Sequence, residues 1–277
     1  MVGRRKRDEF YTKNNLDFGV FWFWFFHRRA AAGSKNGLLK FKAPIYDYEF
    51  FCRANKDDFK LMTVHEDEII NKFTPESGDI VIDVGAHIGL YTIIGSRRVG
   101  LRGKVISLEP HPDNYNILKR NIELNHLNNV IALNSAASSS KSSIKLYLPG
   151  EDKGFTKLYT IMPNRAVTQN FVEVDANTLD DILQALNIEQ VNWIKIDVEG
   201  AELEVLKGTT GVIRRSPNMR LLLEIHNIQG VDLYTEITRF LDNYGFDLVF
   251  EKSYDNKERH VLFAKENLQQ KVAKLLA

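Results

Sequence analysis

Apolar and polar positions along the chain follow two rhythms. Short runs dense in Val, Ile and Leu recur at DIVIDVGA (79–86), KVISLEP (104–110), NVIALNS (129–135), WIKIDVEG (193–200) and MRLLLEIHN (219–227). Each has the length of a strand, and its nearly continuous apolar character predicts burial on both faces. Between them lie stretches with three-to-four spacing. These run from Tyr91 to Val99 and across 114–125, where Tyr115, Leu118, Ile122 and Asn125 share a stripe. Helical patterns follow at Ala201 to Lys207 and from Leu233 to about Tyr244, and FDLVFEKS and RHVLFAKE close the series with the short spacing of an antiparallel hairpin. Strand and helix in alternation predict an α/β fold: a largely parallel sheet with helices on both faces.

Two segments break that alternation. From Leu38 to Val64 the pieces LLKFKAP, YDYEFFCRA and FKLMTV read as small strands broken by Pro44 and a polar turn, followed by a short helix with Ile69, Ile70 and Phe73 on one side. From 138 to 177 a Ser/Lys-rich turn leads into an alternating strand, SIKLYLP, and a long polar stretch that is either an ordinary surface loop or a lid. The expected organisation is an N-terminal aromatic and basic segment with small strands over 1–76, a main domain over 77–265 containing the 138–177 insertion, and a C-terminal helix over 266–277.

At 277 residues, with 44% hydrophobic and 26% charged positions, the chain can bury an ordinary core and is not disordered throughout. The balance of 37 basic and 36 acidic residues creates no global field toward nucleic acid or anionic lipid. A single cysteine, Cys52, cannot build an internal disulfide or a thiolate zinc site, so a reducing cytoplasm is the expected setting and Cys52 is read as a small buried hydrophobe. The apolar run Phe18 to Phe26 has nine residues, against the roughly 20 a membrane-spanning helix needs. Its aromatic composition and the acids Asp8, Glu9 and Asp17 also argue against a signal peptide. Packing on the body is the expected role, with a partner, a homodimer contact or a peripheral membrane surface as alternatives.

Chemistry concentrates at Asp83-Val84-Gly85-Ala86-His87-Ile88-Gly89, which ends one buried strand and opens a helix. Glycines there let the backbone approach a ligand, and a helix N-terminus offers amides to a polar group. Glu109 stands twenty residues beyond Gly89 at the end of the next strand, where a carboxylate accepts hydrogen bonds from ribose hydroxyls. A nucleoside-bearing cofactor suits this arrangement. His87 occupies the place where a dinucleotide fingerprint needs its second glycine, and no phosphate-cradling G-x-x-x-x-G-K-[ST] occurs, so NAD and nucleoside triphosphates are disfavoured against S-adenosylmethionine.

Four segments together, GDIVIDVGAHIGLYT (78–92), ISLEPHPDNYNILKRNIELN (106–125), NTLDDIL (177–183) and WIKIDVEGAELEVLKG (193–208), resemble the FkbM family of S-adenosylmethionine-dependent methyltransferases over roughly Ser77 to Asn227. The resemblance implies a Rossmann-like class I methyltransferase sheet of seven strands, mostly parallel, with the last hairpin antiparallel. It also implies O-methylation of a hydroxyl on a small molecule, a glycan or a lipid-linked sugar. Carried over by position, Asp83, Gly85, Ala86, His87 and Gly89 line the methionine end of the cofactor, Glu109 binds ribose, and Ser135 with Ala136 sits beside adenine. His87 departs from the asparagine common in the family, yet an imidazole also donates a hydrogen bond.

Methyl transfer from a sulfonium is an in-line displacement, so the acceptor oxygen must be positioned and its proton removed. Candidates lie at the carboxyl ends of the fourth and fifth strands: Lys195 and Asp197 in WIKIDVEG, and Glu224 with His226 in LLLEIHN. Asp197 is read as nearest the acceptor, with Glu224 or His226 as base or orienter. Lys195 is either catalytic or the neutralising partner of Asp197, Glu199 and Glu202 favour the following helix through its dipole, and Asp180 caps or stitches a helix start. The resemblance requires no divalent metal, although Asp197, Glu199, Glu224 and His226 are the set on which hard-cation ligands would converge. The competing functions are RNA methylation, against which the neutral charge weighs, and a cofactor-binding interaction module without catalysis.

Overall fold

The computed structural model describes residues 38–42, 48–53, 58, 67–147, 170–226, 231–254 and 258–265. Readings that fall on 1–37, on FKLMTV (59–64), on most of the lid (148–169) and on the C-terminal helix (266–277) lie outside the described residues. The described residues form two compact units that divide between Asn71 and Lys72. In the smaller unit, β1 (Leu38–Lys42) and β2 (Glu49–Arg53) pair antiparallel with Leu39 opposite Cys52. Alternation along β2 buries Phe50 and Cys52. Burial and the nearby Asp58 push the Cys52 thiol up to about 12, so it stays protonated and acts as apolar filler. The short helix α1 (Asp67–Lys72) follows, with Ile69, Ile70 and the succeeding Phe73 all buried.

The larger unit opens with β3 (Ile80–Val84), α2 (Leu90–Val99), β4 (Lys104–Leu108), α3 (Pro112–Leu124) and β5 (Val130–Leu133). Next come β6 (Ala136–Ala137), β7 (Ser142–Tyr147), β8 (Phe171–Asn177) and α4 (Leu179–Ala185). The chain continues through β9 (Trp193–Ile196), α5 (Glu202–Lys207), α6 (Thr210–Arg215), β10 (Arg220–His226), α7 (Leu233–Asp242), β11 (Phe246–Tyr254) and β12 (Glu258–Lys265). Seven strands form one sheet in the order β11-β12-β10-β9-β3-β4-β5. Its inner pairs are parallel, and β12 runs antiparallel to both β10 and β11, as the hairpin spacing predicts.

Strand parity separates the two faces of this sheet. Ile82 registers with Ile106 and Ile194, so Ile82, Val84, Ile106, Leu108, Ile194 and Ile196 share one face. They form a single apolar cluster with Leu183, Val205, Val212, Ile237 and Leu241 of α4 to α7. The alternate residues, Val81, Asp83, Ser107, Trp193 and Lys195, take the opposite face beneath α2, where Phe73 meets Tyr91 and Trp193 edge-on. Because Leu222 registers with Lys195, Glu224 and His226 fall on this second face, and so do His260 and Glu258 across the antiparallel pair. One face is therefore apolar throughout, and the other turns polar toward the carboxyl ends of the strands.

Three features differ from the sequence reading. The α3 stripe is rotated: Asn114, Ile117, Leu118 and Asn121 are its buried residues, while Tyr115 and Ile122 are half-buried. The reason is polar satisfaction, since Asn121 donates to Ile88 O at 2.7 Å and Asn114 to Glu109 at 3.3 Å. The 138–177 segment contributes β7 and the unanticipated β8, which join β6 in a second sheet ordered β6-β8-β7. The unanticipated α6 is tied to α4 through Asp180, whose carboxylate accepts from Gly211 N at 2.7 Å and Val212 N at 2.6 Å. The cap on α4 itself is Thr178, which accepts from Asp181 N. Replacing Asp180 with Ala strands two amides, and we expect urea denaturation to show a loss of about 1–3 kcal/mol. An unchanged midpoint would show that Asp180 does not carry this junction.

Candidate active site

The crevice is built at the carboxyl ends of β3, β4, β9 and β10. Beyond β3 the backbone turns through left-handed conformations at Gly85 (φ 77), His87 (φ 50) and Gly89 (φ 101). A Cβ on Gly85 would lie 1.8 Å from the Asp197 carbonyl oxygen, so only glycine allows this loop to sit against the end of β9. The amides of Gly85 and Ala86 both donate to Leu108 O at 3.0 Å, and that of His87 donates to Glu109 Oε2 at 2.8 Å. These three amides therefore tie the loop to β4, where the sequence reading had offered them to a ligand. Asp83 is buried beneath the loop and accepts from Thr92 Oγ1 at 2.6 Å; burial raises its pKa, and Lys195 and Thr92 pull it back in part.

Glu109 caps the end of β4. Its Oε1 accepts from His111 N at 2.9 Å and from Asn114 Nδ2, while Oε2 takes the His87 amide. A carboxylate has about four lone-pair sites, so one remains. Asn114 Oδ1, buried beside it, has no hydrogen-bond partner. Burial pushes Glu109 up to about 7 despite those donors, with the Asp83 charge adding to the rise. Ser135 and Ala136 follow β5 in the next loop, and Ser135 Oγ is engaged with Asp175 O and Asn177. Asn134 also donates to the Glu109 and Pro110 carbonyls, which ties this loop to the end of β4.

The second half of the crevice is an acid and imidazole cluster. Lys195 Nζ, buried against the Tyr91 ring at 4.9 Å, binds Asp197 Oδ2 at 2.8 Å. His226 Nε2 faces Asp197 Oδ1 at 3.9 Å, Glu199 Oε1 at 3.5 Å and Glu224 Oε1 at 3.5 Å, and its Nδ1 meets Glu202 Oε1 at 2.9 Å. Burial alone would raise Asp197, but the Lys195 and His226 charges bring it down to about 2. Burial and the Asp197 charge push Glu224 up to about 7. For His226, burial opposes the charge, yet hydrogen bonding to Glu202 and Glu224 and the Glu199 charge raise it well above its usual value.

The structure brings Lys195, Asp197, Glu224 and His226 into one cluster and places Asp83, the Gly85 loop and Glu109 beside its β3 edge. Two members were missed as site residues. Glu202 was read as a helix-dipole acid but is wholly buried and supports His226. His260 lies across from Glu224 with Nδ1 3.8 Å from Glu224 Oε2, and its only sequence signal was a histidine in an otherwise apolar strand.

The strand order, the glycine loop after β3 and the carboxylate at the end of β4 together define a Rossmann-like methyltransferase. S-adenosylmethionine fits the acceptors here: a partly satisfied carboxylate and a buried amide oxygen beside it. Residues 83–248 match the profile of the Methyltransferase FkbM domain. Methyltransferase sdnD of Sordaria araneosa is 29% identical over 205 residues, which is 64% of this chain and 77% of that protein. The hexuronic acid methyltransferase AglP of Haloferax volcanii is 31% identical over 157 residues, covering 57% of this chain and 59% of that protein. Among solved structures, M. jannaschii TYW2 in complex with AdoMet is 16% identical, covers 83% of this chain and 86% of that one, and superposes with a TM-score of 0.47. The chain belongs to the FkbM methyltransferase family, and it is an S-adenosylmethionine-dependent methyltransferase. Among the described residues, no helix is long and apolar enough to cross a membrane.

The elevated pKa of Glu109 carries a linkage consequence. A carboxyl raised from 4.5 to about 7 on folding contributes stability that is complete below 4.5 and lost as pH rises through about 7. We expect the free protein to lose on the order of 3 kcal/mol over this range on account of Glu109, and Glu109→Gln to flatten the curve in chemical denaturation from pH 5 to 8. An equally steep curve in the variant would show that the carboxyl is not the source.

Proposed function

We propose that this methyltransferase transfers the S-adenosylmethionine methyl group to a hydroxyl oxygen of a sugar or sugar-bearing small molecule. The observation that carries the reading is the placement of the acid and imidazole cluster directly against the cofactor loop, with Asp197 N donating to Val84 O at 3.1 Å beside Gly85. An acceptor oxygen held by Asp197 lies within the same crevice as the loop. The name of the relative AglP, a hexuronic acid methyltransferase, supports a sugar as the acceptor. The cytoplasm, where S-adenosylmethionine is made, is the compartment this reading favours.

In this reading the loop from Gly85 to Gly89, with Ala86 and His87, holds the methionine portion while Asp83 braces it from below. The one remaining acceptor site of Glu109 takes a ribose hydroxyl, and Ser135 and Ala136 flank the adenine. The cofactor supplies an electrophilic methyl carbon on a sulfonium. Lys195 keeps Asp197 ionised and oriented, and Asp197 aligns the acceptor hydroxyl. Glu224 would take the hydroxyl proton as the acceptor oxygen receives the methyl group that the bound cofactor would supply. His226 positions the carboxylates around it.

Two outcomes test the reading. Glu109→Ala should weaken S-adenosylmethionine binding at least about tenfold by calorimetry, the loss of one charge-assisted hydrogen bond. In the intact protein the affinity should fall as pH drops below about 7, because a ribose hydroxyl donates to the ionised carboxylate. Asp197→Asn should keep cofactor affinity within about threefold while kcat with hexuronate-bearing acceptors falls by about two orders of magnitude or more. Transfer of labelled methyl to nitrogen or carbon acceptors, with none to hydroxyls, would overturn the O-methylation reading.

A further inference from the structure

We infer that Asp197, Glu199 and His226 form a binding site for a divalent cation of the manganese type. The inference rests on the same crevice as the methyl-transfer reading, but cation binding stands or falls on its own. The ligand atoms of the three residues lie within 4.8 Å of one another. His226 Nε2 stands 3.5 Å from Glu199 Oε1 and 3.9 Å from Asp197 Oδ1. Charge-assisted hydrogen bonds close to about 2.7–2.9 Å, so these groups face one another at wider spacing. Ligands bound at about 2.0–2.2 Å to one octahedral ion are separated by about 3 Å when adjacent and about 4.3 Å when opposite, and the observed gaps fall between these limits.

The second observation lies behind the ring. Glu202 is 0% exposed, and its Oε1 holds His226 Nδ1 at 2.9 Å while also accepting from Gly200 N at 2.9 Å. This is the carboxylate-to-histidine support that orients the far nitrogen of metal-binding imidazoles, and here the far nitrogen faces the carboxylates of Asp197, Glu199 and Glu224. Glu202 Oε2 is buried with no hydrogen-bond partner. The local balance also favours a cation. Asp197, Glu199, Glu202 and Glu224 crowd one imidazole, Glu258 lies across the sheet from it, and the basic residues within the cluster are Lys195, His226 and His260. Lys195 occupies Asp197 Oδ2, so Oδ1 is the oxygen turned toward the site.

Two carboxylate oxygens and one imidazole form a mixed hard and borderline set that suits Mn²⁺ better than Ca²⁺, which takes more oxygens, or thiophilic ions. Glu224 and Glu258 also converge on His226, but Nε2 can serve one ion. The Asp197 side is chosen because Asp197 belongs to the cofactor crevice, with its side chain 24% and that of Glu199 15% exposed. Bound there, the ion gathers an acceptor through two neighbouring oxygens, which makes a hydroxycarboxylate or vicinal diol the favoured substrate class. It also supports removal of the hydroxyl proton by stabilising the oxyanion before the methyl arrives.

The test is a titration of the chelator-treated full chain with MnCl₂, read by loss of the free-ion electron paramagnetic resonance signal, beside S-adenosylmethionine calorimetry on the same preparations. One Mn²⁺ per chain is expected. Glu199→Gln should weaken it at least about tenfold while cofactor binding is retained, and Glu258→Gln should leave it within about threefold. Cofactor binding confirms that each variant folds, so a collapse of His226→Gln leaves the Glu199→Gln result decisive. Absence of Mn²⁺ uptake by a chain that binds S-adenosylmethionine overturns the inference, as does unchanged uptake in Glu199→Gln or a loss confined to Glu258→Gln. Mn²⁺ uptake by a chain that binds no S-adenosylmethionine would sustain this site and count against the methyl-transfer reading instead.

Discussion

Where β3 ends, Val84 O accepts the Asp197 amide at 3.1 Å, and the carbonyl of Asp197 occupies the volume a side chain on Gly85 would fill. Two strand ends are thereby pressed together at van der Waals contact, and the rest of the crevice inherits its position from that contact. The loop that follows Gly85 turns back onto β4 through Leu108 O and Glu109, and the chain that follows Asp197 turns into Glu199 and the α5 helix. Glu199 (φ 55) and Gly200 (φ 104) are both left-handed, mirroring His87 and Gly89 on the other side. Backbone held in such conformations by surrounding structure is typical of functional sites.

Electrostatics impose the second constraint. Taking this many carboxylates out of water is costly unless each finds a partner. Lys195 is shared between Asp83 and Asp197, His226 sits among four acids, and His260 meets Glu224. The same burial separates the acids by proton affinity: Asp197 is held low by Lys195 and His226, while Glu224, on the adjacent strand and facing Asp197, is pushed up. Neighbouring carboxyls with divergent pKa values are what acid–base chemistry on one site requires. The arrangement lies wholly on one face because Asp83, Lys195, Glu224, His226, Glu258 and His260 all have the same strand parity.

The glycine loop, Glu109 and the pair of residues spaced two apart in WIKIDVEG and LLLEIHN were legible because each sits at the end of a strand whose apolar run is unmistakable. Asp180 was legible as a structural residue, though its partners are the amides of α6, 31 and 32 positions away. Glu202 was misjudged because an acid in the first turn of a helix is ordinarily solvated, and its burial depends on His226 arriving from another strand. His260 and Glu258 carried no local signal, since their importance arises only from antiparallel registration opposite Glu224 and His226. The rotated stripe of α3 has the same origin: Asn114 and Asn121 are buried because their partners are a carboxylate and a carbonyl from other loops.

Strand and helix periods, glycine positions and strand-end carboxylates are local properties, fixed by backbone sterics and by the burial of apolar side chains. From them the sequence by itself determined the alternating α/β order, the glycine loop and the two strand ends that carry Asp197 and His226. Tertiary structure decided which groups meet, which are charged and which amides remain for a ligand. Those depend on register between strands distant in the chain and on how much water the assembled crevice excludes, and neither quantity exists until the sheet has closed.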